Sequence, residues 1–214
     1  MNKNKSAIIT CDIDGKIKSF DKNAELLFGY SSEEVIKTKR IYNLLHSDFI
    51  LTFADELNLF LNKKKTKFKK NFICLNSDNI EVPGELTVHH ENNKLLITFV
   101  KNNTNINVSS NKSSMISKIN LILRSKFIIG SAVPFLFSII WSIYRFNTID
   151  YKLVFFIFIA ICLLHACANS FYDFFDWKSG RDKTNLDYVL FSTGGSRAID
   201  FKFISEKRLS FISL

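Results

Sequence analysis

The sequence predicts a chain of two parts: an α+β domain with a five-stranded antiparallel sheet, then an all-α part that crosses a membrane. Three observations carry this. Residues 6–101 alternate strand-type apolar runs with a strongly amphipathic helical stripe. Residues 127–146 and 153–171 are apolar runs of about 20 residues, enough to cross a hydrocarbon core about 30 Å thick. The basic residues behind the net charge of +9 flank these runs and are sparse between them.

The elements follow in order. Residues 7–20, AIITCDIDGKIKSF, read as two strands joined by a turn at Asp14 and Gly15. Residues 23–36 read as short helices, with Ser31 and Glu34 in the spacing of a capping box. Residues 47–61 place Phe49, Ile50, Phe53, Leu57, Phe60 and Leu61 on one helical stripe. Three strands are expected at about 68–75, 80–89 and 94–100, separated by turns at 77–79 and 91–93. Residues 101–115, KNNTNINVSSNKSSM, are polar and read as a flexible linker. After them Ile116, Ile119 and Leu123 fall at helical spacing, as in an interfacial entry helix.

The order β-β-α-α-α-β-β-β, with DIDGKIKSFDKNAELLFGYSSEEVI at residues 12–36 and LLHSDF at 44–49, resembles a PAS domain. Asp14, Gly15, Asn23, Gly29, Tyr30 and Glu34 occupy the matching positions. The resemblance implies a sensor or docking module over residues 1–101, able to dimerise, with its ligand unspecified. No cysteine lies between Cys11 and Cys74, so flavin–cysteine photochemistry is not expected. His46 at a helix start, and His89 and His90 near a strand end, make no case for a haem ligand. The four cysteines lack C-x-x-C spacing, so neither a disulfide framework nor a zinc site is indicated.

The flanking charges give an orientation. Residues 1–15 lack the apolar core and cleavage pattern of a secretory leader, so the first domain is expected in the cytosol. Lys112, Lys118, Arg124 and Lys126 precede the first span, and Lys178, Arg181 and Lys183 follow the second. Trp141, Tyr144 and Tyr151 suit an interfacial aromatic belt. The lysine cluster KKKTKFKK, residues 63–70, has no arginine for base readout. It is read as solvated helix-end and hairpin lysines rather than a nucleic-acid site.

The second span runs into NSFYDFFDWKSGRD, residues 169–182. Carboxylates at the mouth of a membrane helix most often hold Mg²⁺, which then holds a phosphate. Asp173 and Asp176 share one helical face, and Gly180 lets the chain turn back so that Asp182 can join them. With Gly180, these aspartates resemble the first aspartate-rich motif of the UbiA superfamily of intramembrane prenyltransferases, in its menaquinone-pathway branch. Asn169 matches a frequent Asn, whereas Tyr172 stands where an Asn usually precedes the first Asp. Residues 121–134, LILRSKFIIGSAVP, resemble the family's first-helix entry. Residues 191–209, FSTGGSRAIDFKFISEKRL, resemble the cytosolic loop after the Asp motif.

The resemblance covers about residues 118–214 and implies Mg²⁺-dependent transfer of an isoprenyl group from a prenyl diphosphate to an aromatic acceptor. It assigns Asp173, Asp176 and Asp182 to the metal and Asp173 and Asp176 to catalysis. Arg124, Asn169, Lys178, Arg181 and Arg197 are assigned to the diphosphate, with Gly194 and Gly195 offering backbone N–H groups. Family members have many more helices and a second Asp-rich motif, so residues 118–214 are expected to be the front of a truncated UbiA-like bundle, inactive alone. The competing expectation is a two-span, membrane-anchored PAS sensor without catalysis.

Overall fold

The structure, a computed structural model, describes residues 6–62, 66–91, 93–102, 112–185, 187–188 and 195–213. It divides into two compact units. The first holds the described residues up to Met115, together with Asp182–Asn185, Asp187 and Tyr188; the second holds residues 116–181 and those from Gly195 onward.

The first unit has the element order that the PAS resemblance implies: β1 (Ala7–Asp12), β2 (Ile17–Phe20), α1 (Lys22–Phe28), α2 (Ser32–Thr38), a 3₁₀ turn (Ile41–Leu44), α3 (Ile50–Asn62), β3 (Lys67–Leu75), β4 (Glu81–Glu91) and β5 (Lys94–Lys101). The strands form one antiparallel sheet in the order β2-β1-β5-β4-β3. Local chemistry sets the element ends. Gly15 takes φ 84° at the β1–β2 turn, and its N–H donates to Asp12 O at 3.0 Å. The Asp21 carboxylate caps α1 by accepting from Ala24 N at 2.8 Å. Ser31 Oγ accepts from Glu34 N at 3.2 Å and caps α2 as its spacing predicts.

The third helix starts at Ile50, later than residue 47, because Phe49 N–H closes a turn onto His46 O at 2.9 Å. Its stripe is nearly the expected one, with Ile50, Phe53, Leu57 and Phe60 buried. They face the sheet side that carries Ile9, Cys11, Phe72, Cys74, Leu86, Val88, Ile97 and Phe99. Phe53 and Phe49 meet Phe72 edge-on at 5.6 and 6.3 Å, and Phe28 meets Phe99 at 5.6 Å. In the lysine cluster, residues 63–65 lie outside the described residues; Lys69 pairs with Glu85 and Lys70 with Glu56. In the linker, Lys112 pairs with Asp48 at 3.4 Å and Ser113 Oγ lies 3.3 Å from Thr52 N, while 103–111 lie outside the described residues.

A distant piece of chain completes this unit. Tyr188 is 2% exposed, and its ring lies 4.2 Å from the guanidinium carbon of Arg40, itself 2% exposed. Arg40 Nη1 donates to Asp14 O at 2.5 Å. Alongside, Lys16 Nζ lies 2.9 Å from Asp187 Oδ1 and holds that carboxyl below its ordinary pKa.

The second unit comprises α4 (Met115–Ile122), a 3₁₀ turn (Ser125–Ile128), α5 (Ile129–Phe146), α6 (Tyr151–Lys178), the short α7 (Arg181–Thr184), which straddles the unit boundary, and α8 (Glu206–Ser213). Two stretches, Ser125–Phe146 and Tyr151–Lys178, are long and apolar enough to cross a membrane, with mean hydropathy 1.9 and 2.2. They differ from the core helices of a soluble protein. No residue of α5 is buried, and side chains such as Phe137, Phe156 and Leu164 are each at least 67% exposed. α5 and α6 meet through stacked Phe135 and Phe158, 5.7 Å apart, and through Ser131 Oγ and His165 Nδ1 at 3.3 Å.

Asp150 caps α6 by accepting from Lys152 N at 2.9 Å and Leu153 N at 3.1 Å. The helix then runs unbroken to Lys178, beyond the expected apolar limit at 171, and ends before Gly180 at φ 77°. Its 28 residues make a rod about 42 Å long, against about 30 Å of hydrocarbon. The apolar run ends at residue 171, and Asp173 and Asp176 lie in the turns beyond it. Beside these turns, Leu209 of α8 is fully buried with Ile122 and Ala198, packed by Phe174, Ile199, Phe203 and Ile204.

Tyr188→Ala is expected to destabilise the first unit of the full chain by about 2–4 kcal/mol, read as faster hydrogen exchange of the β1–β5 ladder. Burial raises the thiols of Cys11 and Cys74 far above their usual range. Both are expected to resist alkylation at pH 8 until the protein is denatured, as mass spectrometry of the labelled chain would show.

Candidate functional site

Asp173 projects from the last turns of α6 and is 4% exposed. A carboxylate so buried needs donors, and two sequence-distant groups supply them. Arg124 Nη2 donates to Asp173 Oδ1 at 2.8 Å, across 49 residues of chain. The Ser196 N–H lies 3.3 Å from Oδ1 and 3.2 Å from Oδ2, across 23 residues. Arg124 sits at the corner between α4 and the following 3₁₀ turn, in the left-handed region at φ 50°. That corner is fixed by Arg124 N–H to Leu121 O at 3.1 Å and by Phe127 N–H to Arg124 O at 2.9 Å.

Gly195, at φ 82°, lets the loop backbone close on this pair. A Cβ there would stand 2.9 Å from Asp173 Oδ1 and 3.1 Å from Arg124 Nη2. Asp176, one turn further along α6, faces Arg181 Nη1 at 3.1 Å and keeps 30% of its side chain accessible. Lys178 Nζ stands 5.7 Å from the centre of the Phe174 ring. Arg197 is buried, with Nη1 3.9 Å from Asp200 Oδ2.

Of the residues singled out in the sequence, the structure brings Arg124 and Asp173 into direct contact, with Asn169 one turn before Asp173 on α6. Asp176 and Arg181 form a neighbouring pair. Asp182 is buried in the first unit, and among the described residues no three His, Cys, Asp or Glu side chains gather into a metal-holding group. Gly194 lies outside the described residues.

Sequence reasoning missed Ser170 and the Ser196 N–H. Ser170 is fully buried at three residues before Asp173, a spacing that marks it as a face-mate; nothing in a sequence marks one backbone N–H over another. A groove of about 830 Å³ also opens between α5 and α6, lined by Gly130, Ser131, Pro134, Phe135, Ser138 and Ile161 among others.

No family model and no curated protein matches the chain. Solved structures similar to it include PAS domains. The PAS domain of the Cronobacter turicensis RpfR quorum-sensing receptor in complex with BDSF is 16% identical, with a TM-score of 0.41 over 47% of this chain and 96% of that one. The PAS domain of an HTR-like protein from Haloarcula marismortui is 18% identical, with a TM-score of 0.39 over 47% and 89% of the two chains. The Drosophila melanogaster Cycle PAS-B domain with bound ethylene glycol is 16% identical, with a TM-score of 0.39 over 45% and 97%.

Gly195→Ala is expected to cost the second unit about 1–2 kcal/mol from the left-handed backbone alone, before the contact with Asp173. Gly130→Ala, whose added carbon meets nothing within 4 Å, is expected to be neutral or better. Thermal unfolding of the two variants in detergent micelles checks the contrast.

Proposed function

We propose that the second unit is of the membrane prenyltransferase type, binding an isoprenyl diphosphate with Mg²⁺ to move the isoprenyl group to an aromatic acceptor. The PAS-type first unit is its cytosolic regulatory module. One observation carries this reading. The first-helix arginine, the Asp-motif helix and the Gly195–Ser196 loop, distant in sequence, meet at one carboxylate.

The donor chemistry fits the ion. Asp173 and Asp176 offer hard carboxylate oxygens on one helical face, and Asp176 is already partly accessible. They would hold Mg²⁺. The ion would neutralise charge on the departing diphosphate. Arg124, Lys178, Arg181 and Arg197 would share the remaining charge, with Asn169 as a neutral donor. The groove between α5 and α6, lined by Phe135 and Ile161, would keep water from the isoprenyl chain. The lysines and arginines outside the two spans support a cytosolic position for the site.

A second reading is a membrane-anchored sensor, favoured by the pairing of Asp173 with Arg124 and of Asp176 with Arg181. There the aspartates are structural. Titration of the full chain in maltoside micelles with farnesyl diphosphate separates the two. Under the prenyltransferase reading, binding requires Mg²⁺ and falls at least about tenfold in Asp173→Ala and in Asp176→Ala. Wild-type protein that binds no better with Mg²⁺ than without it leaves the anchored sensor.

A further inference from the structure

The Asp173 carboxylate makes the contacts that a phosphate oxygen would make. One guanidinium nitrogen and one backbone N–H point at it, and both are general oxyanion donors. Ser196 lies between two residues with positive φ, Gly195 at 82° and Arg197 at 53°. The bare backbone of Gly195 allows this turn to approach the anion closely.

The same face of α6 carries polar atoms with nothing to bond. Ser170 is fully buried and its Oγ has no hydrogen-bond partner; Asn169 Nδ2 is likewise buried and unpartnered. Both lie one turn before Asp173. An unpaired buried donor costs about 1–3 kcal/mol, and Asp173 cannot relieve that cost while it is turned toward Arg124 and Ser196.

We propose that Arg124, the Ser196 N–H and the Asn169–Ser170 turn form an oxyanion cradle, and that Asp173 is its resting occupant. The inference rests on the diphosphate reading of this site. A diphosphate enters by exchange: Asp173 releases Arg124 and Ser196 to the phosphate oxygens and turns its own carboxylate to the cation that travels with them. Asp173 therefore acts in two opposed ways. It shuts the cradle to a bare anion and opens it to an anion that brings a divalent cation. This is a selectivity device built from one side chain.

Asp173→Ala empties the cradle and separates the two roles. The full chain in maltoside micelles is titrated calorimetrically with inorganic pyrophosphate, in EDTA and in Mg²⁺. In EDTA, the variant is expected to bind about 10- to 100-fold tighter than wild type, the value of one charge-assisted hydrogen bond. Asp173→Ala combined with Arg124→Gln is expected to return to the wild-type level. In Mg²⁺ the order reverses, because only wild type keeps the carboxylate. Asp173→Asn, which keeps the shape without the charge, is expected to move in the same direction and serves if the alanine variant misfolds.

A folded variant that binds pyrophosphate no tighter than wild type in EDTA overturns the proposal, as does a gain that survives loss of Arg124. Failure of Mg²⁺ to tighten wild-type binding sinks the metal-dependent reading but leaves the gain in Asp173→Ala as a separate result. Added phosphatidic acid identifies the source of the phosphate. Competition assigns the cradle to a lipid headgroup and its absence to a free diphosphate; both outcomes support the cradle.

Discussion

A carboxylate that lies beside the apolar span and is shut away from water has to be compensated, and the second unit is organised around that need. Asp173 finds one full charge and one backbone dipole, from Arg124 and Ser196. Removing one partner of such a pair costs about 3–5 kcal/mol, because the other charge stays buried. The requirement fixes more than the pair. It places the α4 corner against α6, and it places glycine at 195. It also holds the chain after Gly195 where Ala198 and Leu209 bury against Ile122.

Helix length supplies the second constraint. A hydrocarbon core about 30 Å thick would match only about two thirds of the length of α6. Side chains in the last turns inherit the rigidity of the whole helix. Asp173 and Asp176 are positioned by that rod and not by a loop. A charged group on a rigid element is held more closely than one on a flexible connection.

Much of this was legible in the sequence. The strand–turn–strand start, the cap at Ser31, the apolar stripe of α3 and both spans follow from local patterns of spacing and composition. No periodicity links Arg124, Asp173 and Ser196, so their contact could not be read from spacing. Asp182 lies close to Asp176 in sequence, yet it is buried within the first unit, a placement that no local pattern announces. Tyr188 itself carried no signal. Nothing in the run LDYVLF, residues 186–191, names a partner for it, and the buried arginine beneath its ring is visible only in the structure.

The position of Tyr188 along the chain also bears on how the protein is made. Every strand of the first unit has been synthesised once β5 ends at Lys101, but a buried aromatic of its core has not. Both apolar helices come before it. At ribosomal speed that gap is on the order of several seconds. Throughout it Arg40 lacks the ring that will cover it, while both apolar helices have already been made. The first unit is thus completed only after both apolar helices have been synthesised, an order of assembly written into the chain's return path.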